Sequence, residues 1–281
     1  MALEVELLYD VPRLEEKLIL KALREVGFEV KPTNIKALPL SWDEAPAPLA
    51  VVRPISMQRA VYAASIREAV GVRTINSSMC IMLAGDKVLS LGRFKRAGLR
   101  FPKSMVAFTA EAAEKAGAAV GYPAVDKPPV GSWGRLVTLV NDSRFLKSVV
   151  EHRELLPSQT ARTHIIQRFI NGGKKDYRVL VLGGEPLGAM LRIAREGEWR
   201  SNVARGGSVK AVKLDGEVSE LAVKAAEVIG GEFVAIDLFS DDGEFLLNEV
   251  NGVPEFKGFM EALHINVPMK LAEYVKTVYR R

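Results

Sequence analysis

Cysteine is almost missing: Cys80 is the only one in 281 residues, so no internal disulfide can form and a reducing, cytoplasmic setting is expected. The three histidines, His152, His164 and His264, stand at no metal-ligand spacing, which argues against a zinc centre. Trp42, Trp133 and Trp199 are too scattered for a base-stacking platform. Only three glutamines occur, Gln58, Gln159 and Gln167, a scarcity in line with a hot-environment source. No apolar run approaches the roughly 18 residues that span a bilayer, so no membrane partner is expected. The start Met1-Ala-Leu-Glu-Val-Glu has no basic region or cleavage site of a signal peptide. There is neither a G-x-x-x-x-G-K-[ST] run nor one G-x-G triplet, so a bound nucleotide needs an architecture other than a P-loop or a dinucleotide fingerprint.

What is present is a globular composition: 48% hydrophobic and 26% charged residues exclude extended disorder and collagen. At roughly 150 residues per domain the length suggests about two structural units. Thirty-nine Lys and Arg against 34 Asp and Glu leave +5, a surplus that favours an acidic partner but falls short of a nucleic-acid footprint. The pattern along the chain is α/β. A strand at 5–9, a helix ended by Gly27, a buried-type strand at 49–52, a helix at 58–69 and a strand at 72–75 predict parallel pairing in a unit of residues 1–85. Asn76-Ser77-Ser78 offers caps for a short helix, and Asp86 caps the next, 87–97. Residues 86–170 carry a strand at 101–108, a helix at 110–120 and a strand at 123–127. Residues 171–281 are rich in strands with Gly turns, read as antiparallel.

Three segments carry chemistry. Asp241-Asp-Gly243 separates two runs rich in strand formers, so a hairpin is predicted; it sets Glu249 beside Asn251 on one face, with Asp237 interrupting an apolar strand. Oxygen donors without His or Cys suit Mg²⁺. Lys127-Pro-Pro-Val-Gly-Ser-Trp-Gly-Arg135 offers an ammonium and turn N–H groups to phosphate oxygens, although a plain surface turn has the same composition. Arg200, Asn202 and Arg205 precede Gly206-Gly207, with Arg192 upstream, and could clamp an acidic substrate or a phosphoryl group. Cys80 reads as a small buried apolar side chain rather than a nucleophile.

The order Lys87, Lys127 with Gly131-Ser-Trp-Gly-Arg135, Gln167-Arg-Phe-Ile170, Lys175-Asp-Tyr-Arg178, Arg200-Ser-Asn-Val-Ala-Arg-Gly-Gly207, Asp237 and Asn248-Glu-Val-Asn251 resembles an ATP-grasp ligase along the whole chain. Within that fold it resembles the branch of the ribosomal-protein glutamate ligases and the LysX and ArgX enzymes, which join an amino acid to the C-terminal glutamate of the acidic carrier protein LysW. Tyr9-Asp10, Glu15-Glu-Lys17 and the compact length fit the LysX/ArgX group. The resemblance implies an N-terminal pre-ATP-grasp domain (1–85) and a two-lobed ATP-grasp domain (86–170 and 171–281), with ATP between the lobes.

It also implies roles. Lys87 and Lys127 contact phosphates, and Gly131, Ser132, Trp133, Gly134 and Arg135 form the loop over them. Gln167, Arg168, Phe169 and Ile170 read adenine, and Asp176 and Arg178 belong to the nucleotide site. Arg192, Asn202 and Arg205 serve the transferring phosphoryl and acyl groups. Val203, Ala204, Glu255, Phe256, Gly258 and Phe259, with Arg192, meet the amino acid. Asp237, Glu249 and Asn251 hold Mg²⁺, as two ions. LysX enzymes have Asn-Thr or Asn-Ser after the metal motif and ArgX enzymes Gly-Phe; Gly258-Phe259 is the glutamate pair. One methylene is worth only about 1–3 kcal/mol, so an α-aminoadipate or dual-substrate enzyme is the first alternative, and a non-catalytic basic binding module the second. The expected partners are LysW, by a salt-sensitive attraction, glutamate, and a second copy in a homodimer or homotetramer.

Overall fold

The structure, a computed structural model, describes residues 3–170, 174–201, 206–214 and 216–280. The chain begins with β1 (Leu3–Tyr9), α1 (Leu14–Glu25), β2 (Phe28–Asn34), β3 (Leu49–Val52), α2 (Met57–Ala69) and β4 (Arg73–Ile75). Their strands form a parallel sheet in the order β2-β1-β3-β4. β2 is not anticipated by sequence: Glu29, Lys31 and Pro32 break its apolar pattern. As an edge strand it buries only Phe28, Val30 and Thr33, and an edge tolerates a residue without an N–H.

Two short helices follow, α3 (Ser78–Gly85) and α4 (Lys87–Arg96). Ser77 caps the first by accepting from Cys80 N, and Asp86 the second by accepting from Val88 N and Leu89 N at 2.8 and 3.2 Å. Asn76, read as a further cap, is instead a buried cross-tie to the far end of the chain. Its amide donates to the carbonyls of Phe233 (2.6 Å) and Gly252 (2.7 Å) and accepts from Glu232 N and Phe233 N.

Next come β5 (Ser104–Ala107), α5 (Ala110–Val120), β6 (Ala124–Lys127), β7 (Thr138–Val140), α6 (Ser143–Glu154), α7 (Gln159–Arg162) and β8 (His164–Arg168). They build an antiparallel sheet, β5-β8-β6-β7, whose separate core joins Ala113, Val120, Leu146, Val150 and Ile166. The strand expected at 101–108 is confined to 104–107. The third sheet, also antiparallel, has β9 (Lys175–Leu182), β10 (Glu185–Ile193), β11 (Ser208–Val212), β12 (Phe233–Asp241) and β13 (Glu244–Asn251) in the order β11-β10-β9-β12-β13. Asp242 and Gly243 both have left-handed φ, +48° and +86°, the two-residue turn that matches strand twist.

α8 (Gly216–Ile229) covers one face of this sheet together with α3 and α4. On the other face, Phe256, α9 (Lys257–Leu263) and α10 (Val267–Tyr279) fuse it to the first sheet in one core that runs from Val5, Leu7 and Leu23 to Leu180, Phe233, Leu271 and Val275. The two ends of the chain therefore share one interior. No helix among the described residues is long and apolar enough to cross a membrane.

Candidate active site

The β12–β13 hairpin places Asp237 opposite Glu249 and Ala235 opposite Asn251, which puts the three predicted oxygen ligands on one face. The ladder skips from Asp237–Glu249 to Leu238–Leu247, leaving Asn248 as the extra residue of a bulge. Neighbours in a regular strand point to opposite faces; the bulge lets Asn248 and Glu249 serve one site. Asn248 Oδ1 accepts from Lys127 Nζ at 3.2 Å, and Glu249 Oε2 lies 3.4 Å from Lys87 Nζ.

Behind Glu249 sits a fully ionic layer. Arg178 donates from Nε and Nη2 to the two oxygens of Asp237, both at 2.7 Å, and Arg192 Nη2 donates to Asp237 Oδ2 at 2.7 Å. Arg192 also grips Asp176 through Nε and Nη2. All three strands contribute because Asp237 pairs with Arg178 across β12–β9, and Arg192 with Asp176 across β10–β9. Burial works against the charge on Asp237, but Arg178 and Arg192 outweigh it and hold its pKa at about 2. At Asp176 burial prevails over Arg192, and the pKa is raised; at Arg192 the two carboxylates prevail over burial, and the cation is held more firmly than usual.

Lys127 ends β6 in a buried position and donates from Nζ to Gln167 Oε1 at 2.9 Å as well as to Asn248. Burial first, and the neighbouring Lys87 second, push its pKa down to about 7 against the weaker pull of Glu249. Lys87 opens α4, and its Nζ donates to Gly131 O at 3.2 Å. Two ammonium groups thus face one spot with too little negative charge around them, an arrangement made for a polyanion.

The loop after Lys127 folds over that spot. Trp133, Gly134 and Leu136 have left-handed φ of +56°, +65° and +55°. Arg135 stacks on Trp133, its guanidinium carbon 4.9 Å from the ring centre. Arg200, predicted as a substrate clamp, instead ties this loop down: Nη1 donates to the carbonyls of Gly134 (3.3 Å) and Val137 (3.2 Å), and Nε and Nη2 donate to Glu198. The Arg200 hydrogen bond is the main reason the Glu198 carboxyl falls to about 2.

Two cavities meet here. The smaller, about 100 Å³, lies between the second and third sheets, with Lys127, Gln167, Phe169, Ile170, Asp176 and Trp199 in its walls. The larger, about 310 Å³, opens toward the first sheet, with Arg13, Ser56, Arg178, Asn251, Val253 and Glu255. Lys87, Gly131, Ser132, Trp133, Arg192 and Glu249 line both and form the partition.

Most predicted residues are gathered here, with differences. Arg178 borders the larger cavity, and Asp237 lies beneath both. Arg168 and Phe169 have their N–H groups engaged by the carbonyls of Lys103 and Pro123, which takes both N–H groups out of the backbone reading of adenine expected of this segment. Phe256, Gly258 and Phe259 line neither cavity, which corrects their assignment to substrate. Phe256 is wholly buried between Phe233 and Arg53, and Phe259 packs in the shared core over Gly188, because these large apolar rings seal the seam between sheets. Asn202, Val203, Ala204 and Arg205 lie outside the described residues. Sequence reading missed Arg13 and Ser56, since nothing local marks residues brought in from the first sheet.

The donors fit a Mg²⁺ ion. Glu249 and Asn251 supply oxygens, and Asp237, three of whose lone-pair positions accept from arginines, has one left on Oδ1. Asn251 Nδ2 is buried without a partner, so turning the amide to offer its oxygen there costs no hydrogen bond. No group of three His, Cys, Asp or Glu suited to a metal occurs among the described residues.

A lysine-lined slot between two antiparallel sheets, closed by a glycine loop and backed by a carboxylate–amide pair, defines an ATP-grasp ligase. Residues 84–275 match the RimK-like ATP-grasp domain and residues 5–83 the LysX preATP-grasp domain. The chain is 43% identical to the glutamate–LysW ligase ArgX of Sulfolobus acidocaldarius over 99% of this chain and 100% of the relative. It is 33% identical to the α-aminoadipate–LysW ligase LysX of Sulfurisphaera tokodaii, over 96% of this chain and 98% of the relative. Among solved structures, a RimK-domain ATP-grasp protein from Sphaerobacter thermophilus superposes with a TM-score of 0.79 at 23% identity, covering 96% of this chain and 98% of that one. D-Alanine–D-alanine ligase from Bacillus anthracis complexed with ATP gives 0.74 at 16%, covering 100% and 98%. The chain belongs to the family of RimK-like ATP-grasp ligases that carry a LysX-type preATP-grasp domain, and ATP use with, as a rule, Mg²⁺ comes with that family.

Proposed function

We propose that this protein ligates the α-amine of glutamate to the γ-carboxyl of the C-terminal glutamate of a LysW-type carrier, with ATP as the activating substrate, in arginine biosynthesis in the cytoplasm. The observation that carries it is the partition: one set of cations, Lys87 and Arg192, faces a nucleotide slot on one side and a polar acceptor cavity on the other. A phosphoryl group passing between the two stays within reach of both throughout. The likeness to glutamate–LysW ligases over the whole chain supports the choice of substrates.

In this reading the three units are residues 1–85, 86–170 and 171–281. Lys127 and Lys87 bind the ATP phosphates, and the loop from Gly131 to Arg135 excludes water from them. Arg192, held rigid by Asp176 and Asp237, faces the transferring group, joined by Asn202 and Arg205. The carrier carboxylate attacks the γ-phosphorus, the bond to the β-bridging oxygen breaks, and ADP leaves. The glutamate amine then attacks the acyl carbon; phosphate departs with the electron pair of the C–O bond, and the nitrogen keeps one proton as the amide N–H and passes the others to phosphate and solvent. Glu249, Asn251 and Asp237 would hold Mg²⁺, as two ions, which supplies charge neutralisation at the phosphates. The same resemblance supports a homodimer or homotetramer.

Intact-mass analysis of LysW after incubation with the protein, Mg·ATP and either amino acid tests this. The expected product is carrier plus one glutamyl residue with stoichiometric ADP. Preferential addition of α-aminoadipate would overturn the choice of glutamate, and absence of ADP release with both would overturn the ligase.

A further inference from the structure

The wall of the larger cavity farthest from the nucleotide slot is assembled from distant parts of the chain. Arg13, just before α1, carries a guanidinium whose Nε and Nη2 donate to the two oxygens of Glu16 at 3.0 and 2.8 Å, a bidentate grip on one edge. Nη1 turns to the cavity, where it donates to Glu255 Oε1 at 3.0 Å. Glu16 is buried, whereas the Glu255 side chain is 48% exposed.

The framework under this pair is rigid. Glu15 accepts from the backbone N–H groups of Phe256 and Lys257, at 2.5 and 3.0 Å, and Arg53, 1% exposed, donates to Pro254 O at 2.9 Å and to Glu16 at 3.3 Å. These ties fix the segment that carries Glu255 against the start of α1. Of the five N–H donors of Arg13, three are engaged by Glu16 and Glu255, and one on each terminal nitrogen has no such acceptor. Those two donors can form the end-on fork that matches a carboxylate.

We propose that Arg13 is the receptor for a non-reacting carboxylate of the substrates in this cavity, with Glu255 as the exposed counter-ion that holds the guanidinium in place until that carboxylate arrives. The inference rests on the proposed ligase reading, in which both the amino acid and the carrier terminus bring a spare carboxylate. The chemistry recognised is the same for either source. Glu16 neutralises Arg13 on its buried edge, and Glu15, whose Oε2 lies 3.7 Å from Nη1, is held in place by the N–H groups of Phe256 and Lys257, so of the three carboxylates around Arg13 only the exposed Glu255 can give way to an incoming one.

The test is steady-state kinetics with LysW, glutamate and Mg·ATP, on the full-length protein, for Arg13→Gln, Arg13→Lys and Glu255→Gln. Arg13→Gln should raise KM for one carboxylate substrate roughly 10- to 100-fold, as loss of hydrogen bonds to a charged group implies, while KM for ATP stays within about threefold. Arg13→Lys should recover part of the loss. Glu255→Gln should lower that same KM or leave it unchanged, because it removes the competitor and keeps the Glu16 grip. A rise for glutamate alone assigns the carboxylate to the amino acid, and a rise for LysW alone assigns it to the carrier. If Arg13→Gln and Glu255→Gln both raise KM, or if kcat falls with every KM unchanged, the pair is only a structural link and the proposal fails. Failure of the wild-type protein to modify LysW at all would instead count against the ligase reading.

Discussion

Lys127 is the residue on which nucleotide binding, on the proposed reading, should leave the clearest mark. Its pKa of about 7 in the folded chain, against about 10.4 for an unperturbed lysine, means that the unfolded state binds more protons between those values. The contribution of Lys127 to stability therefore rises with pH across that window and is at its lowest below about 7. On the proposed reading, phosphate oxygens would supply the negative charge that this ammonium lacks and return its pKa toward the ordinary range. Binding of Mg·ATP at pH 7 should thus take up about half a proton at this site. Calorimetric titration in buffers of different ionisation enthalpy measures that uptake, and Lys127→Met should abolish it. An uptake that persists in the variant would move the assignment to another group. The lysine at this strand end is proposed from sequence as a phosphate ligand; its depressed basicity is not legible there, because it comes first from burial and then from Lys87, forty residues away.

Among the elements, the clasp made by Glu198 and Arg200 governs the loop after β6. Glu198→Gln weakens the grip on Arg200, and with it the ties to Gly134 and Val137, so Kd for ATP should rise several-fold and protease cleavage within residues 131–137 should quicken. Because the Glu198 carboxyl sits at about 2, its contribution is present above the unfolded carboxylate range near 4 and is lost only as pH falls toward 2. ATP affinity should carry no Glu198-dependent step between pH 5 and 9. A second seam joins β13 to α3 at Gly252, where a Cβ would lie 3.1 Å from Ile81 Cα and from Ala84 Cβ. Gly252→Ala should cost about 1–3 kcal/mol, read by urea unfolding, since backbone cannot give way as a side chain can. The β12–β13 hairpin was legible because an Asp-Gly turn between strand formers has one common solution. β2 was not, because an edge strand needs few apolar residues, and neither was the bulge at Asn248, which shows only in register.

At the scale of the whole molecule, the three units of the sequence are not three separate cores. The first and third sheets are fused through Phe256, α9 and α10, whereas the second sheet keeps its own small, alanine-rich interior. Calorimetry should resolve two transitions: a lower one for residues 104–168, raised by Mg·ATP, and a higher one for the rest. A truncation that removes α10 should abolish the upper transition. It takes away fully buried Val267, Leu271 and Val275, at about 1.5–3 kcal/mol each a loss comparable to the whole stability of a domain. The fusion could not be read from sequence, since α10 and α1 stand at opposite ends of the chain. It also has a kinetic consequence. On the proposed ligase reading, the wall with Arg13 and Glu255 keeps its shape independently of the second sheet's core, so one side of the acceptor cavity is in place before ATP binds, and the side formed by Gly131, Ser132 and Trp133 belongs to the middle unit. On that reading, initial-rate kinetics should show no compulsory order of substrate addition that begins with ATP.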